Sequence, residues 1–199
     1  MPPDSTLLFL RAPRIGTVKT RLARDLGDQP ALAAYRHLLD HLHRALRNVS
    51  RIQLCVTPDD ASAEVEPWRH PGWTVAPQGP GDLGARLARA IQSHLDGGAP
   101  SVVIIGSDCP QVQPSDLEEA HRQLRDHDVV LGPATDGGYW LIGVRRFLPA
   151  LFESMPWGTD VVLAETLRRA HHAGRTVAIL RTLSDIDTAE DWARWHAGS

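Results

Sequence analysis

Cysteine is scarce in this chain, and long apolar runs are missing. The 199 residues include two cysteines, Cys55 and Cys109, which form neither a CxxC motif nor another metal-binding spacing, so no disulfide framework is expected. No apolar run approaches the roughly 20 residues that cross a bilayer, and the amino terminus lacks the basic segment and apolar core of a signal peptide. These absences predict a cytoplasmic protein without a membrane span.

A basic excess is also missing. The chain has 21 lysine and arginine residues against 24 aspartates and glutamates, which gives a formal net charge of −3. General binding to a nucleic acid polymer requires a basic surface, so such a partner is not expected. Hydrophobic residues make up 42% and charged residues 23% of the chain, as in globular proteins. At about 150 residues per domain, we expect a single domain over residues 1–199.

Short apolar runs alternate with helical patterns along the chain. Their length and β-branched residues predict seven strands, at residues 6–10, 51–57, 73–76, 101–106, 129–131, 139–144 and 176–180. Apolar residues at helical spacing predict helices, within residues 28–46, 83–95, 115–124, 162–173 and 188–195. Ser115 and Glu118 form the pattern of a capping box, and Asp82 and Thr188 are suitable N-caps.

Strands that alternate with helices are typical of a mostly parallel sheet covered by helices on both faces. The runs at 129–131 and 139–144 are separated by only seven residues, too few for a parallel crossover. We therefore expect an α/β fold with a Rossmann-like three-layer α/β/α arrangement and one reversed strand. In such sheets, ligands bind beyond the carboxyl ends of the strands, so the loops that follow the strands are the places to search for chemistry.

The loop after the first strand is rich in cations. It carries Arg11, Gly16, Lys19 and Arg21 and leads into a helix. A turn of this kind offers backbone amides and positive charge to an anion, although a solvated basic loop is the simpler alternative. The loop after the third strand carries Gly81 and Asp82, which suit either a ligand-binding loop or a helix cap. These six residues are the candidates for binding a nucleotide and its phosphates.

Carboxylates follow three other strands. Asp108 ends the central apolar run, Asp136 lies between the two antiparallel runs, and Asp185 and Asp187 precede the last helix. Oxygen ligands of this type suit Mg²⁺ or Mn²⁺, and turn or cap formation is the alternative for each. Cations for phosphate together with acids for a divalent metal are the groups that a nucleotide diphosphate site requires.

Six loop segments, in this order along the chain, match the motifs of one known family. The matching segments are GTVKTRLA (16–23), QGPGDLG (78–84), GSDCP (106–110), GPATDGGY (132–139), WGT (157–159) and DIDT (185–188). The chain therefore resembles a family of small bacterial glycosyltransferases with the glycosyltransferase-A, or nucleotide-diphospho-sugar transferase, fold. Some members of this family are labelled arsenosugar-biosynthesis or radical-SAM/selenodomain-associated transferases.

This resemblance implies a transferase that uses a nucleotide-sugar donor and a small-molecule acceptor. Lys19 and Arg21 match the basic loop over which the nucleotide lies, and Asp108 matches the acid that holds a divalent ion, with Asp187 as a second candidate. We expect Asp136 to contact the sugar or activate the acceptor. Tyr139 and Trp157 are expected to line the substrate pocket. Two alternatives stay open: a guanylyltransferase-like nucleotidyltransferase that uses a nucleoside triphosphate, and a non-catalytic nucleotide-binding domain.

Overall fold

The structure is a computed structural model that describes residues 3–197. A seven-stranded sheet forms its centre. Residues 1–2 and 198–199, which belong to the expected domain, lie outside the described residues. The strands are β1 (Ser5–Arg11), β2 (Gln53–Thr57), β3 (Thr74–Pro77), β4 (Val102–Gly106), β5 (Val129–Pro133), β6 (Tyr139–Val144) and β7 (Val177–Ile179). The helices are α1 (Thr20–Leu26), α2 (Asp28–Ala45), α3 (Leu83–Asp96), α4 (Pro114–Gln123), α5 (Val162–His172) and α6 (Ala189–Ala197).

The strand order across the sheet is β3-β2-β1-β4-β6-β5-β7. β6 runs antiparallel to both of its neighbours, β4 and β5, and the other neighbouring pairs are parallel. The predicted reversed strand and its short connection to β5 are thus confirmed. The parallel strands β1, β2, β3 and β4 end at one edge of the sheet, so the loops that follow them meet there.

Helices cover both faces of the sheet because alternate strand residues point to opposite sides. Leu8 and Leu10 of β1 join a buried apolar cluster with α2 and α4. Leu7 and Phe9 of the same strand join a second cluster with α3 and α5. The expected three-layer α/β/α arrangement is confirmed, and it leaves the strand ends as the place where polar side chains can gather.

The helix caps follow the sequence at two positions and depart from it at a third. Asp82 accepts a hydrogen bond from the Ala85 amide at the start of α3, and the Asp191 amide donates to the Thr188 hydroxyl at the start of α6. The predicted capping box at Ser115 and Glu118 is wrong. Proline favours the first position of a helix, so Pro114 moves the start of α4, and Gln113 and Asp116 form the capping box.

None of the helices within residues 3–197 combines the length and the apolar character that a membrane span requires. The two cysteines are buried and unpaired, as the sequence predicts. A 3-10 helix over Asp59–Trp68, which the periodicity does not indicate, connects β2 to β3.

Candidate functional site

A cavity of about 770 Å³ opens at the carboxyl ends of β1, β2 and β4. Its volume lies within the range of about 300–1,000 Å³ that is usual for small-molecule sites. The predicted site residues that line it are Arg11, Lys19, Arg21, Asp82, Asp108, Asp136, Tyr139, Trp157 and Asp187. Gly16 and Gly81 are absent from the lining residues that the structure describes.

Lys19 lies at the centre of this cavity between two acids. Its ammonium nitrogen donates hydrogen bonds to Asp108 Oδ1 and, at 3.1 Å, to Asp187 Oδ1, and its side chain is only 3% exposed. Burial lowers the pKa of Lys19, but the two carboxylates more than offset this effect and hold the pKa above its ordinary value. Arg21 Nη1 lies 3.7 Å from Asp187 Oδ2. The site therefore keeps a protonated, buried ammonium.

The backbone around Lys19 is strained. Lys19 is the N-cap of α1 and has φ 49° and ψ 45°, a left-handed conformation that costs a non-glycine residue about 1–3 kcal/mol. The segment that carries Asp187 is attached to the end of β4, since the Ile186 amide donates to the Asp108 carbonyl at 2.9 Å. Ion pairs and backbone contacts together hold the ammonium in place against this strain.

Lys19 is also the only lysine in the 199-residue sequence. Each of the other basic residues among the 21 is arginine. Arginine is larger, and its planar fork is not interchangeable with a compact ammonium. A single lysine in an arginine-rich chain is a sequence signal for a special position, and it adds to the signal that the loop motif provides.

Two residues of the basic loop, Arg14 and Gly16, do not line the cavity. Arg14 is held outside by Glu64 and Asp60, with Nη2–O distances of 2.5 and 3.2 Å. Gly16 has φ 72° and occupies the turn in which the Thr17 amide and hydroxyl donate to the Arg14 carbonyl. Gly16 is not among the residues that line the cavity, and its contact with a phosphate stays a prediction.

Tyr35 of α2 is a positioning residue that the periodicity identifies only as core. Its hydroxyl donates to the Arg11 carbonyl and accepts from the Arg11 amide, both at 3.0 Å, and lies 3.3 Å from Ser107 Oγ. Burial, with the charge of Asp108, raises the pKa of Tyr35 to about 12, so the phenol stays neutral. Tyr35 thereby joins the ends of β1 and β4, from which Lys19 and Asp108 follow.

Two further acids complete the polar end of the cavity. Asp136 is exposed, and its Oδ1 accepts from the Gly138 amide at 2.8 Å. Asp185 is partly buried, and burial, together with repulsion from Asp136 and Asp187, raises its pKa to about 6. Asp108, Asp136, Asp185 and Asp187 thus line the same cavity as the cations Lys19 and Arg21.

The raised pKa of Asp185 predicts a pH-dependent stability. The native state binds this proton more tightly than the unfolded chain, where the pKa is 3.8, so stability falls as pH rises from about 4 to 6 and stays reduced above that range. Asp185→Asn removes the free-energy cost of ionising Asp185 in the folded protein. We expect it to stabilise the fold near pH 7.5 by about 1 kcal/mol after solvent screening, or roughly 2–4 °C in Tm.

The gain should shrink to a small fraction near pH 4, where Asp185 of the folded wild type is protonated and the same group in the unfolded chain is only partly ionised. Thermal unfolding of both proteins in EDTA across this pH range measures the effect without interference from metal ions. A constant difference between wild type and Asp185→Asn at all pH values would contradict the assignment.

An aromatic wall closes the other side of the cavity. Tyr139 and Trp157 meet edge to face with ring centroids 6.4 Å apart. Trp157 packs on the first turn of α3, where a Cβ on Gly84 would lie 2.4 Å from the Phe152 carbonyl and 2.8 Å from Trp157 Nε1. The indole N–H has no hydrogen-bond partner among the described residues.

The loop with Asp136 packs against the loop with Trp157 at Gly137. This glycine has φ 87°, its carbonyl accepts from the Leu163 amide, and a Cβ there would lie 2.1 Å from the Asp160 carbonyl oxygen. We expect Gly137→Ala to destabilise the fold by about 2 kcal/mol or more, measured by urea unfolding.

Gly158 is the matched control, because it has φ 79° but no atom within 4 Å of the position that a Cβ would take. Gly158→Ala therefore introduces only the backbone strain, about 1–2 kcal/mol. Equal losses for the two variants would show that the close approach at Gly137 carries no energy.

The acids of the cavity suit a divalent metal only if a substrate supplies some of the metal's ligands. Within residues 3–197, no three carboxylate, histidine or cysteine side chains are close enough to enclose a metal ion. Magnesium, however, is commonly held by one or two carboxylates together with substrate phosphates and water. Asp108 is half exposed and Asp187 34% exposed, so both present oxygens to such a metal. The donor set fits Mg²⁺ or Mn²⁺ on those terms.

Three polar residues of the cavity were not selected from the sequence. Gln78, at the end of β3, is buried and donates from Nε2 to the Leu10 and Cys55 carbonyls. Arg86 and Thr57 lie beside it, with Arg86 Nη1 3.1 Å from Thr57 Oγ1. Thr57 ends β2 and Arg86 lies on α3, so only the folded sheet brings them together.

Comparison with known proteins places this geometry in a family. The profile described as "Uncharacterized protein conserved in bacteria (DUF2064)" matches residues 39–159. A crystal structure from Desulfovibrio desulfuricans G20, classed provisionally as a nucleotide-diphospho-sugar transferase, is 34% identical with a TM-score of 0.85. The alignment covers 93% of this chain and 82% of that chain.

One further relative is a transferase by name, and one further solved structure shares the fold. The 2-phospho-L-lactate guanylyltransferase of Methanopyrus kandleri is 29% identical over 182 residues, which are 88% of this chain and 83% of that protein. The 4-diphosphocytidyl-2C-methyl-D-erythritol synthase of Anaerococcus prevotii has a TM-score of 0.61 at 13% identity and covers 98% of both chains, which shows a shared fold. The predictions of the fold and of a transferase are confirmed, and the chain belongs to the DUF2064 family of bacterial proteins.

Proposed function

We propose that this protein transfers a sugar from a nucleotide-diphosphate donor to a small-molecule acceptor. The observation that carries the proposal is the Lys19 ammonium, fixed between Asp108 and Asp187 in a cavity of substrate size. An ammonium has three N–H donors, so one stays available for a phosphate oxygen. The relative from Desulfovibrio desulfuricans, which covers most of this chain, supports the same class.

Lys19 acts on the leaving group in this scheme. As the bond from the sugar to the diphosphate breaks, negative charge grows on the diphosphate oxygens. A preorganised cation in a partly dry site stabilises that charge more than water does. The carboxylates of Asp108 and Asp187 fix the ammonium before the substrate arrives, so little reorganisation is needed. Arg21 adds positive charge on the same side.

Asp108 and Asp187 would also hold the divalent metal. When bound, Mg²⁺ or Mn²⁺ supplies charge neutralisation at the diphosphate. Four carboxylates line the cavity near Lys19 and Arg21, and added positive charge would reduce their repulsion of an anionic substrate.

Asp136 is the proposed contact to the sugar or to the acceptor hydroxyl. The Gly138 amide occupies its Oδ1 and leaves Oδ2 able to accept a hydrogen bond or a proton from a hydroxyl. Tyr139 and Trp157 supply an apolar surface beside it, against which a sugar ring can pack.

Nucleotidyl transfer is the second candidate, and the guanylyltransferase relative favours it. The same ammonium would then stabilise pyrophosphate as it leaves a nucleoside triphosphate. The arrangement of Lys19, Asp108 and Asp187 serves both reactions, since both require charge stabilisation on departing phosphates.

The released product separates the two reactions. The protein is incubated with nucleotide-sugars or with nucleoside triphosphates, magnesium or manganese, and a panel of hydroxyl and phosphate acceptors. Free nucleoside diphosphate from a nucleotide-sugar supports the proposal, whereas pyrophosphate from a triphosphate supports nucleotidyl transfer instead. Tight binding without turnover across the panel would point to a non-catalytic nucleotide-binding protein.

A further inference from the structure

Arg86 is a half-buried arginine that faces the cavity without a carboxylate partner. It lies in the second turn of α3 and lines the cavity. Its Nε donates to the Gly81 carbonyl at 2.9 Å, and its Nη1 to Thr57 Oγ1 at 3.1 Å and to Gln78 Oε1 at 3.5 Å. These acceptors are neutral, and no ion pair of Arg86 occurs within residues 3–197.

Two other cations of the cavity are neutralised by carboxylates, whereas Arg11, which also lines it, is exposed to water and forms no ion pair among the described residues. Lys19 has two carboxylate partners and Arg21 has one, while Arg14 is paired outside the cavity. Asp82, one turn before Arg86, uses its Oδ1 to cap α3. Keeping a guanidinium away from bulk water without a counter-charge is unfavourable, so a purely structural role leaves the charge of Arg86 unexplained.

A second arginine, Arg89, also holds the loop after β3. Arg89 donates from Nη1 to the Gln78 carbonyl and from Nη2 to the Pro80 carbonyl, each at 2.9 Å. Arg89 is exposed and does not line the cavity. The chain thus carries two arginines that bind the same loop, of which Arg86 also presents donors to a ligand. Its Nη2 has no hydrogen bond among the described residues, so two N–H donors stay available there.

The position of Arg86 separates it from Asp108 and Asp136. Thr57 ends β2 and Gln78 follows β3, on one side of β1, whereas Asp108 and Asp136 follow strands on the other side. Lys19 lies between these groups. A nucleotide-sugar has its phosphates between base and sugar, so with phosphates at Lys19 the carboxylate side suits sugar hydroxyls. The donor-rich side suits a base that presents acceptors.

We infer that Arg86 selects the base of the nucleotide by donating hydrogen bonds from Nη2 to a ring carbonyl oxygen. This inference rests on the proposed function. Guanine, uracil and cytosine carry such oxygens, and arginine pairs well with guanine O6 and N7, whereas adenine presents an amino group on the corresponding edge. The site therefore takes an oxo-base nucleotide and discriminates against adenine nucleotides.

Calorimetric titration with GDP, UDP, CDP, ADP and inorganic pyrophosphate, in magnesium buffer, tests this inference. We expect at least one oxo-base nucleotide to bind about ten- to a hundredfold more tightly than ADP. Arg86→Met should reduce that preference to about threefold or less and leave the pyrophosphate Kd unchanged within about twofold. Arg89→Met, which removes the other loop contact, should retain the preference.

Three results would overturn the inference while nucleotide binding persists. They are equal affinity of the wild type for ADP and the oxo-base nucleotides, a parallel loss of pyrophosphate affinity in Arg86→Met, and the same loss of preference in both variants. Arg86→Leu, which also removes the N–H donors, replaces Arg86→Met if the latter unfolds, and the same criteria apply. Absence of binding for every nucleotide would overturn the proposed function itself, and this inference with it.

Discussion

Lys19→Met should lower the rate of transfer by about 10²–10³-fold, the usual loss when one preorganised donor to a developing anion is removed. Nucleotide affinity should fall as well, because the variant leaves Asp108 and Asp187 to repel the phosphates. Methionine fills most of the volume of the lysine stem, so the fold should persist. Steady-state kinetics with the active donor, and calorimetry with its nucleoside diphosphate, measure both losses.

Arg24→Met is the control for Lys19→Met. Arg24 is an exposed cation in the last turn of α1 and does not line the cavity. Arg24→Met removes one positive charge near α1, as Lys19→Met does. Comparable losses in the two variants would mean that general electrostatics, rather than the placed ammonium, governs the reaction.

The double variant Asp108→Asn/Asp187→Asn should lose metal-dependent nucleotide binding and also destabilise the fold. It leaves the Lys19 ammonium buried without a counter-charge, and breaking a buried pair in this way costs about 3 kcal/mol or more. Urea unfolding measures the stability, and calorimetry in magnesium or EDTA measures the binding.

Adding Lys19→Met to the double variant separates the two effects. The triple variant has no unpaired buried ammonium, so it should recover much of the lost stability while nucleotide binding stays absent. A triple variant as unstable as the double one would show that the acids support the fold by another route. Full metal-dependent affinity in the double variant would mean that the metal site lies elsewhere.

Local patterns predict much of this fold because each pattern has a local cause. The short connection between β5 and β6 cannot hold a crossover, so β6 is reversed, as the sequence predicts. Asp82 caps α3 as its position suggests. The capping box at Ser115 is a misprediction because Pro114 fits the first turn and moves the start of α4.

The sequence predicts the site residues that lie in loops at the ends of strands. Lys19, Asp108 and Asp187 follow strands or precede a helix at one sheet edge, and the structure brings them into contact. Arg86 and Thr57 meet only through the pairing of β1 with β2 and the packing of α3, which no local motif encodes. A glycine in a basic loop suggests a phosphate contact, but Gly16 is not among the residues that line the cavity, so this contact stays a prediction.

The single lysine allows a direct test of the central claim that Lys19 binds the phosphates of a nucleotide. Protein labelled with ¹⁵N at lysine Nζ should give one side-chain ammonium signal, because Lys19 is the only lysine in the chain. We predict that a nucleoside diphosphate with magnesium shifts this signal to saturation, with the Kd that calorimetry gives. Nucleotide binding that leaves the Lys19 signal unmoved would contradict the account.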